Sequence, residues 1–279
     1  MAYKTLLTVV TDPKLLKSTI NHASTVALAM DAHLDVLCFG VDRTQTGYYY
    51  AGANAMVLQE TLSRATEDAK KLAEEAREQL DRSGCRWSLE EGVAQLADIG
   101  RHVAGRARFA DLTILPKPYG GGHGVELEPV IEGAMFEGQC PVLVVPDDVV
   151  PESAPKRVVV GWNESAEALT AVRAALPLLK VADRVHVVVI DPPQHGPNRS
   201  DPGGQLSQFL ARHGVKAEVD VLSKTLPKIS DVMCRHVEDV DADMMVMGAY
   251  GHSRFREAIL GGATRNMLEN AKLPVFMAH

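Results

Sequence analysis

The chain has 279 residues, a formal net charge of −7 and a pI near 5.8. This acidic balance, without a basic cluster, argues against nucleic-acid binding, which needs a positively charged face. No apolar run approaches the ~20 residues that cross a bilayer, and the N-terminus lacks a signal-peptide pattern. The composition therefore predicts a globular cytoplasmic protein with neither a nucleic-acid partner nor a membrane partner.

The four cysteines are scattered along the chain, without the short CxxC or CxxH spacings of zinc sites. Cys38 and Cys140 lie inside apolar runs, where a thiol behaves as a small hydrophobic side chain. This distribution predicts reduced thiols and no metal site.

An internal repeat organises the chain, because three segments of the first half match three segments of the second half in the same order. The spacing is also kept, since Asp111 and Pro141 are 30 residues apart and Asp243 and Pro274 are 31 apart. The matching pairs are Leu6–Asp12 with Arg157–Asn163, Ala110–Leu115 with Ala242–Met247, and Pro141–Pro146 with Pro274–His279.

The two halves are separated by Asp147–Lys156, a segment rich in proline and acidic residues. We therefore predict two homologous domains, residues 1–147 and residues 156–279.

Each half alternates short apolar runs with helical patterns, which is typical of buried parallel strands with helical crossovers. In the first half we predict strands near residues 5–10, 34–40, 85–91, 111–115 and 141–145, and a long charged helix at Glu60–Arg82. In the second half we predict strands at Val158–Gly161, Val185–Ile190, Ala217–Leu222, Met244–Met247 and Pro274–Met277, and helices at Ser165–Leu179, Ile229–Val240 and Thr264–Ala271. Ser165 is the expected N-cap of its helix. The fold class is α/β, with two doubly wound parallel five-stranded sheets.

The segment Met247–Thr264 joins the end of a predicted strand to the start of a predicted helix. Glycines there would let backbone amides approach a ligand closely, and unpaired N–H groups at a helix start favour phosphate. In open parallel sheets, ligands bind outside the carboxyl ends of the strands. The pattern lacks the lysine of a P-loop and the spacing of a GxGxxG dinucleotide motif.

Gly248-x-x-Gly251, nine further residues and Gly261 resemble the ATP-binding motif of universal stress proteins, G-x-x-G-x9-G-(S/T). The resemblance covers both halves and implies the tandem type of that family. It implies the adenine nucleotide alpha hydrolase-like, Rossmann-like fold with strand order 3-2-1-4-5. It also implies pairing of the last strands of the two units into an intramolecular pseudo-dimer, with a homodimer as a further expectation.

The resemblance further implies an adenine nucleotide as ligand, ATP or else ADP or AMP, with any Mg²⁺ supplied by the nucleotide. Two positions depart from the family: Gly262 replaces a hydroxyl residue, and Asn163 replaces the adenine-facing aspartate. An asparagine can both accept and donate at the adenine edge. The implied binding residues are Asn163 and Asp191 near the base, Met247 and Gly248 near the ribose, and Tyr250, Gly251, Gly261, Gly262, Ala263 and Thr264 along the phosphate loop.

The first half has lost this motif. Pro116 or a neighbour replaces Gly248, and Glu128–Pro129 falls where the phosphate glycines belong. A carboxylate there repels phosphate and a proline removes an amide donor, so we expect no nucleotide in this half.

Two classes of function follow from these patterns. The first is a stress-response or regulatory module that binds ATP in its C-terminal domain and acts on an unknown protein partner. The alternative is an interaction scaffold, or a binder of a small metabolite, that takes no nucleotide. We assign no catalytic residue: His252 could serve as a base, but no acidic residue at motif spacing would orient it, so slow ATP hydrolysis is the most we expect.

Overall fold

The computed structural model describes residues 2–43, 54–120, 122–192, 201–249 and 262–279. They form two compact units, one of Tyr3–Cys140 and one composed chiefly of Pro141–His279. The strand Val142–Val145 therefore groups by its contacts with the second unit, although the repeat assigns it to the first half. The domain limits 1–147 and 156–279 stay a prediction.

The Tyr3–Cys140 unit is a parallel sheet with helical crossovers. Its strands lie in the order β3-β2-β1-β4, and every pairing among them is parallel. The strands are β1 (Thr5–Val10), β2 (His33–Asp42), β3 (Arg86–Gln95) and β4 (Leu112–Pro116). The helices are α1 (Pro13–Met30), α2 (Asn54–Ser83), α3 (Ile99–Ala107) and α4 (Leu127–Glu132), and a π-helical turn follows at Gly133–Glu137.

The Pro141–His279 unit repeats this plan. Its parallel strands lie in the order β10-β9-β6-β7-β8, which is the expected 3-2-1-4-5 order counted within the repeat and read from the other edge. The strands are β5 (Val142–Val145), β6 (Arg157–Gly161), β7 (Arg184–Ile190), β8 (Ala217–Leu222), β9 (Met244–Gly248) and β10 (Val275–Ala278). The helices are α5 (Ala166–Leu179), α6 (Gly204–Arg212), α7 (Ile229–Asp239) and α8 (Ala263–Asn270).

The expected pairing of the last strands is also present. β5 and β10 are antiparallel, with Val144 opposite Val275 and Val142 opposite Met277. All four β5 residues and all four β10 residues are buried.

Corresponding aspartates hold the start of the first strand in both halves. The Asp111 carboxylate accepts backbone N–H groups of Lys4 at 2.7 Å and Thr5 at 3.0 Å. Asp243 accepts the backbone N–H of Lys156 at 2.8 Å. The repeat detected in the sequence is therefore a repeat of backbone contacts as well as of strand order.

The side chains at the starts of helices follow local rules. Ser165 accepts the N–H of Ala168 at 3.1 Å, which confirms the predicted N-cap of α5. Asp12 caps α1 by accepting the N–H of Lys14 at 2.8 Å. Helix α6 has only a weak sequence pattern and was not predicted, because only Leu206 and Leu210 mark its buried face.

The cores are aliphatic, as the low aromatic content required. Val158, Val159 and Val160 of β6 are fully buried because the strand is covered on both faces. Among the described residues, no helix is long and apolar enough to cross a bilayer.

The buried thiols yield a testable prediction. Burial raises the pKa of Cys38 to about 12 and that of Cys140 to about 11, so neither is a nucleophilic thiolate at neutral pH. Brief alkylation of the native protein should modify only the partly exposed Cys85 and Cys234, while all four thiols should react after unfolding. Peptide mass spectrometry measures this, and fast native labelling of Cys140 would contradict the packing.

Candidate functional site

A cavity of about 290 Å³ opens at the carboxyl ends of β6, β7 and β9 in the Pro141–His279 unit. Strand order reverses at β6, since its neighbours β7 and β9 lie on opposite sides of it, and ligands of open α/β sheets bind at such a point. The cavity is lined by Gly161, Trp162, Asn163, Ser165, Val188, Ile190, Ile229, Ser230, Met233, Met247, Gly248, Ala263, Thr264 and Met267.

Much of this lining is aliphatic or thioether. Val188 and Ile190 come from β7, Met247 comes from β9, and Met233 comes from α7. A Cβ built on Gly161 would lie 3.1 Å from the Met233 methyl carbon, so the glycine leaves room for the Met233 side chain in this wall. Such walls favour a flat, weakly polar group, and methionine adapts its shape to one.

Asn163 brings an amide to the rim. Its Oδ1 accepts the backbone N–H of Ser165 at 3.2 Å, and this turn leads directly into the Ser165 cap of α5. Because that oxygen is used locally, the NH₂ group is the part of the amide that remains to donate to a ligand.

The start of α8 forms the opposite end of the cavity. Gly262 is its N-cap residue and supplies no side chain, and Ala263 and Thr264 form the first turn. The first N–H groups of a helix have no intrahelical acceptor, and the helix dipole makes this end positive.

Lys228, which no sequence motif indicated, adds a full positive charge nearby. Its Nζ donates to Asn266 Oδ1 at 2.8 Å, and the Asn266 amide donates to the Gly262 carbonyl at 3.2 Å. This chain of two hydrogen bonds connects a lysine to the first turn of α8. The end of the cavity formed by α8 therefore suits an anion.

Asp191 is not among the residues that line the cavity. It follows β7 with a φ of 45°, and its carboxylate accepts the backbone N–H of Lys224 at 3.0 Å. The preceding residue, Ile190, lines the cavity instead. Asp191 thus fixes the loop after β8.

The structure thus brings together Asn163, Met247, Gly248, Ala263 and Thr264, with Gly262 directly before α8. The predicted residues Tyr250, Gly251 and Gly261 lie outside the described residues, as does His252.

Helix α7 supplies lining residues that sequence reasoning missed, namely Ile229, Ser230 and Met233. The helix itself was predicted, but the spacing of its apolar residues does not show that its N-terminal turn faces the cavity. In the structure Ile229 stands out, because 46% of its surface is exposed although it is a large apolar residue.

Gly248 has a packing role that the motif did not reveal. A Cβ at this position would lie 2.5 Å from the backbone nitrogen of Ala168 and 2.7 Å from the carbonyl carbon of Glu167. The end of β9 therefore touches the backbone of the first turn of α5, and only glycine permits that approach.

An ion pair stands at the corresponding place in the Tyr3–Cys140 unit. Glu126, the N-cap residue of α4, has a side chain with 0% exposure and is paired with Arg43, which follows β2. The Arg43 Nε lies 3.2 Å from Glu126 Oε2. Glu128, which we expected to repel phosphate, accepts a hydrogen bond from the Tyr119 hydroxyl at 2.9 Å.

Comparison with known proteins agrees with this geometry. Residues 155–279 match the model of the universal stress protein family. The C-terminal half of the chain therefore belongs to the universal stress protein family. A curated relative, Universal stress protein Slr1230 of Synechocystis sp., is 30% identical over 91 residues, which make up 33% of this chain and 31% of that protein. The match thus spans about a third of the relative's length.

One solved structure supports the universal stress protein fold over nearly the whole chain. A universal stress protein from Archaeoglobus fulgidus DSM 4304 matches 98% of this chain and 95% of its own, with a TM-score of 0.72 and 15% identity. A universal stress protein in complex with cAMP matches 45% of this chain and 98% of its own, with a TM-score of 0.39 and 22% identity.

The first prediction from the site concerns Gly248. Gly248→Ala should lower the free energy of unfolding by about 1–3 kcal/mol, because its Cβ overlaps the α5 backbone. Gly105→Ala is the matched control: it lies in α3 with no atom within 4 Å of its built Cβ, and it should be neutral or stabilising by up to ~1 kcal/mol. Urea denaturation measures both, and an unaffected Gly248→Ala variant would refute the close contact.

The second prediction concerns the Arg43–Glu126 pair. Arg43→Gln should cost roughly 2–3 kcal/mol of stability, because it leaves the buried Glu126 carboxylate without its cation. The double variant Arg43→Gln with Glu126→Gln should recover most of that loss, since no buried charge remains. Equal destabilisation in the single and double variants would show that the loss of stability does not come from the unpaired Glu126 charge.

Proposed function

We propose that this universal stress protein binds an adenine nucleotide, ATP, in its C-terminal domain (residues 156–279) and acts as a stress-response or regulatory module. One observation carries the proposal: a single cavity joins an apolar wall and an amide at the end of β6 to the positive start of α8.

The purine would lie at the end of the cavity formed by β6 and β7. Ile190, Met233 and Met247 offer apolar contacts to a flat ring. The Asn163 NH₂ group would donate to a ring nitrogen of adenine, because its carbonyl oxygen is engaged by Ser165. Asp191 lies outside the lining and would support the loop after β8 through its hydrogen bond with Lys224.

The phosphates would lie against the first turn of α8. The backbone N–H groups at Ala263 and Thr264 suit an anion, and the Lys228 charge, connected through Asn266, reinforces them. Tyr250, Gly251 and Gly261 remain predicted contacts of the phosphate loop. Mg²⁺ would enter as the companion of the nucleotide, because the described lining residues include no carboxylate.

Nucleotide binding would regulate the protein by changing its conformation. Occupation of the cavity would fix the first turns of α7 and α8, which both contribute lining residues. The four cysteines form no disulfide, which supports action in a reducing cytoplasm. A protein partner and a homodimer remain predictions, and no hydrolytic residue is assigned.

The test uses one position, Ala263, where a negative charge should stabilise the helix but weaken the binding of phosphate. Ala263 is exposed in the first turn of α8, where an acidic side chain stabilises a helix but repels phosphate. Ala263→Glu should therefore keep or raise the melting temperature while weakening ATP binding at least tenfold, which corresponds to about 1.4 kcal/mol. Ala263→Gln, of the same size without the charge, should bind ATP nearly as the parent does.

The measurement is a thermal-shift and calorimetric series with ATP, ADP, AMP, cAMP, GTP and adenosine. For the parent chain, ATP at ~100-fold over its Kd should stabilise the fold by about 2.7 kcal/mol. Adenosine should be affected little by Ala263→Glu, since it carries no phosphate. No shift with any adenine nucleotide, together with no co-purified nucleotide in native mass spectrometry, would favour the scaffold or metabolite-binding alternative.

A further inference from the structure

Two histidines share one carboxylate at the outer edge of the sheet in the Pro141–His279 unit. His186 Nδ1 lies 2.8 Å from Asp220 Oδ2, and His236 Nε2 lies 3.0 Å from the same oxygen. His186 is on β7, Asp220 is on the neighbouring strand β8, and His236 is on α7. None of the three lines the cavity described above.

The fold brings these side chains together on one face. His186 is opposite Glu218 in the β7–β8 register, and Asp220 lies two residues further along β8, on the same side of the strand. His236 completes the group from the helix packed over that face. The ligand atoms of His186, Asp220 and His236 all lie within 4.8 Å of one another.

From this arrangement we propose that His186, Asp220 and His236 form a binding site for a divalent transition-metal ion, with Zn²⁺ as its representative. Two imidazoles and one carboxylate are ligands that zinc accepts, whereas Mg²⁺ and Ca²⁺ require mostly oxygen ligands. The three side chains converge from three separate elements, so the backbone already holds them in place before a metal arrives.

The distances suit a metal after a small adjustment. Zinc–ligand bonds of about 2.0–2.2 Å place neighbouring donors of a tetrahedral site roughly 3.3–3.5 Å apart. The two nitrogens now lie at hydrogen-bonding distance from Asp220 Oδ2, so each must move outward by roughly half an ångström. Side-chain rotation alone provides such a shift.

The protons balance in a simple way. A neutral imidazole carries one ring proton, and on binding it must lie on the nitrogen that faces away from Asp220, which is Nε2 of His186 and Nδ1 of His236. A proton that stands on a facing nitrogen moves to the other ring nitrogen through solvent, or is released to solvent if both nitrogens carry one. The facing nitrogens then offer their lone pairs to the metal.

Burial and access are also favourable. The side chains of His186 and His236 are only 9% and 12% exposed, and that of Asp220 is 28% exposed. Glu218 lies beside them at 46% exposure, with its Oε1 3.2 Å from His186 Nδ1. It marks an open side where a metal can enter and where a fourth ligand, the Glu218 carboxylate or a water, can complete the coordination.

The test is Zn²⁺ binding to the untagged 279-residue chain after chelator treatment and dialysis, measured by isothermal titration calorimetry. We expect one saturable site whose affinity falls more than ~10-fold in His236→Gln and in Asp220→Asn, since each loses a direct ligand. His102→Gln is the matched control. His102 is on α3, and its Nε2 lies 3.6 Å from Oδ2 of Asp98. Loss of this imidazole should leave the Zn²⁺ affinity unchanged.

Co²⁺ provides a second readout that a purely structural hydrogen-bond network would not produce. The parent chain should show the visible absorption of tetrahedral cobalt, and both site variants should lose it while keeping the far-ultraviolet circular dichroism of the parent. If His236→Gln fails to fold, the nearly isosteric Asp220→Asn variant carries the test. Absence of saturable Zn²⁺ binding, or equal affinity in the parent and Asp220→Asn, would overturn the site.

Discussion

The contact between Gly248 and the first turn of α5 determines the shape of the proposed nucleotide site. The last residue of β9 lies against the backbone of Glu167 and Ala168, closer than any side chain would allow. This approach holds the start of α5 over the strand ends and with it the turn of Asn163 and Ser165. One wall of the cavity therefore depends on a packing constraint before any ligand is considered.

Comparison of the two homologous units distinguishes residues that the fold requires from residues that a ligand requires. Asp111 and Asp243 hold the same backbone N–H groups in the two units, because the start of the first strand needs the same partner in both. The strand ends are under no such shared constraint, since residues there face solvent or a ligand. The halves have accordingly kept their strand order while their strand ends have diverged.

Much of the architecture could be predicted from sequence because its determinants are local. Apolar runs marked the strands, and Ser165 marked the start of α5 within one residue. The family resemblance predicted the strand order and the pairing of β5 with β10, while the antiparallel direction of that pairing comes from the structure.

The parts of the site that sequence missed depend on directions and distances that spacing does not encode. Ile229 begins a predicted helix, yet only the packing of α7 turns it towards the cavity. Asp191 is expected near the base, but it does not line the cavity, and its carboxylate accepts the backbone N–H of Lys224. The imidazoles of His186 and His236 meet across Asp220, although the residues are 34 and 16 positions from it. Expectations about metal ligands drawn from cysteine spacing could not include them.

The starts of α4 and α8 differ in where their negative charge comes from: a side chain of the protein supplies it at α4, and a ligand would supply it at α8. The positive end of a helix favours a nearby negative charge. In the Tyr3–Cys140 unit the chain provides that charge itself: Glu126 occupies the N-cap position of α4, and Arg43 neutralises it. In the Pro141–His279 unit the N-cap is Gly262, which brings no charge, while Lys228 adds a cation through Asn266. The same backbone position is therefore electrostatically complete in one half and favours an added anion in the other, which is why we assign the phosphates to α8.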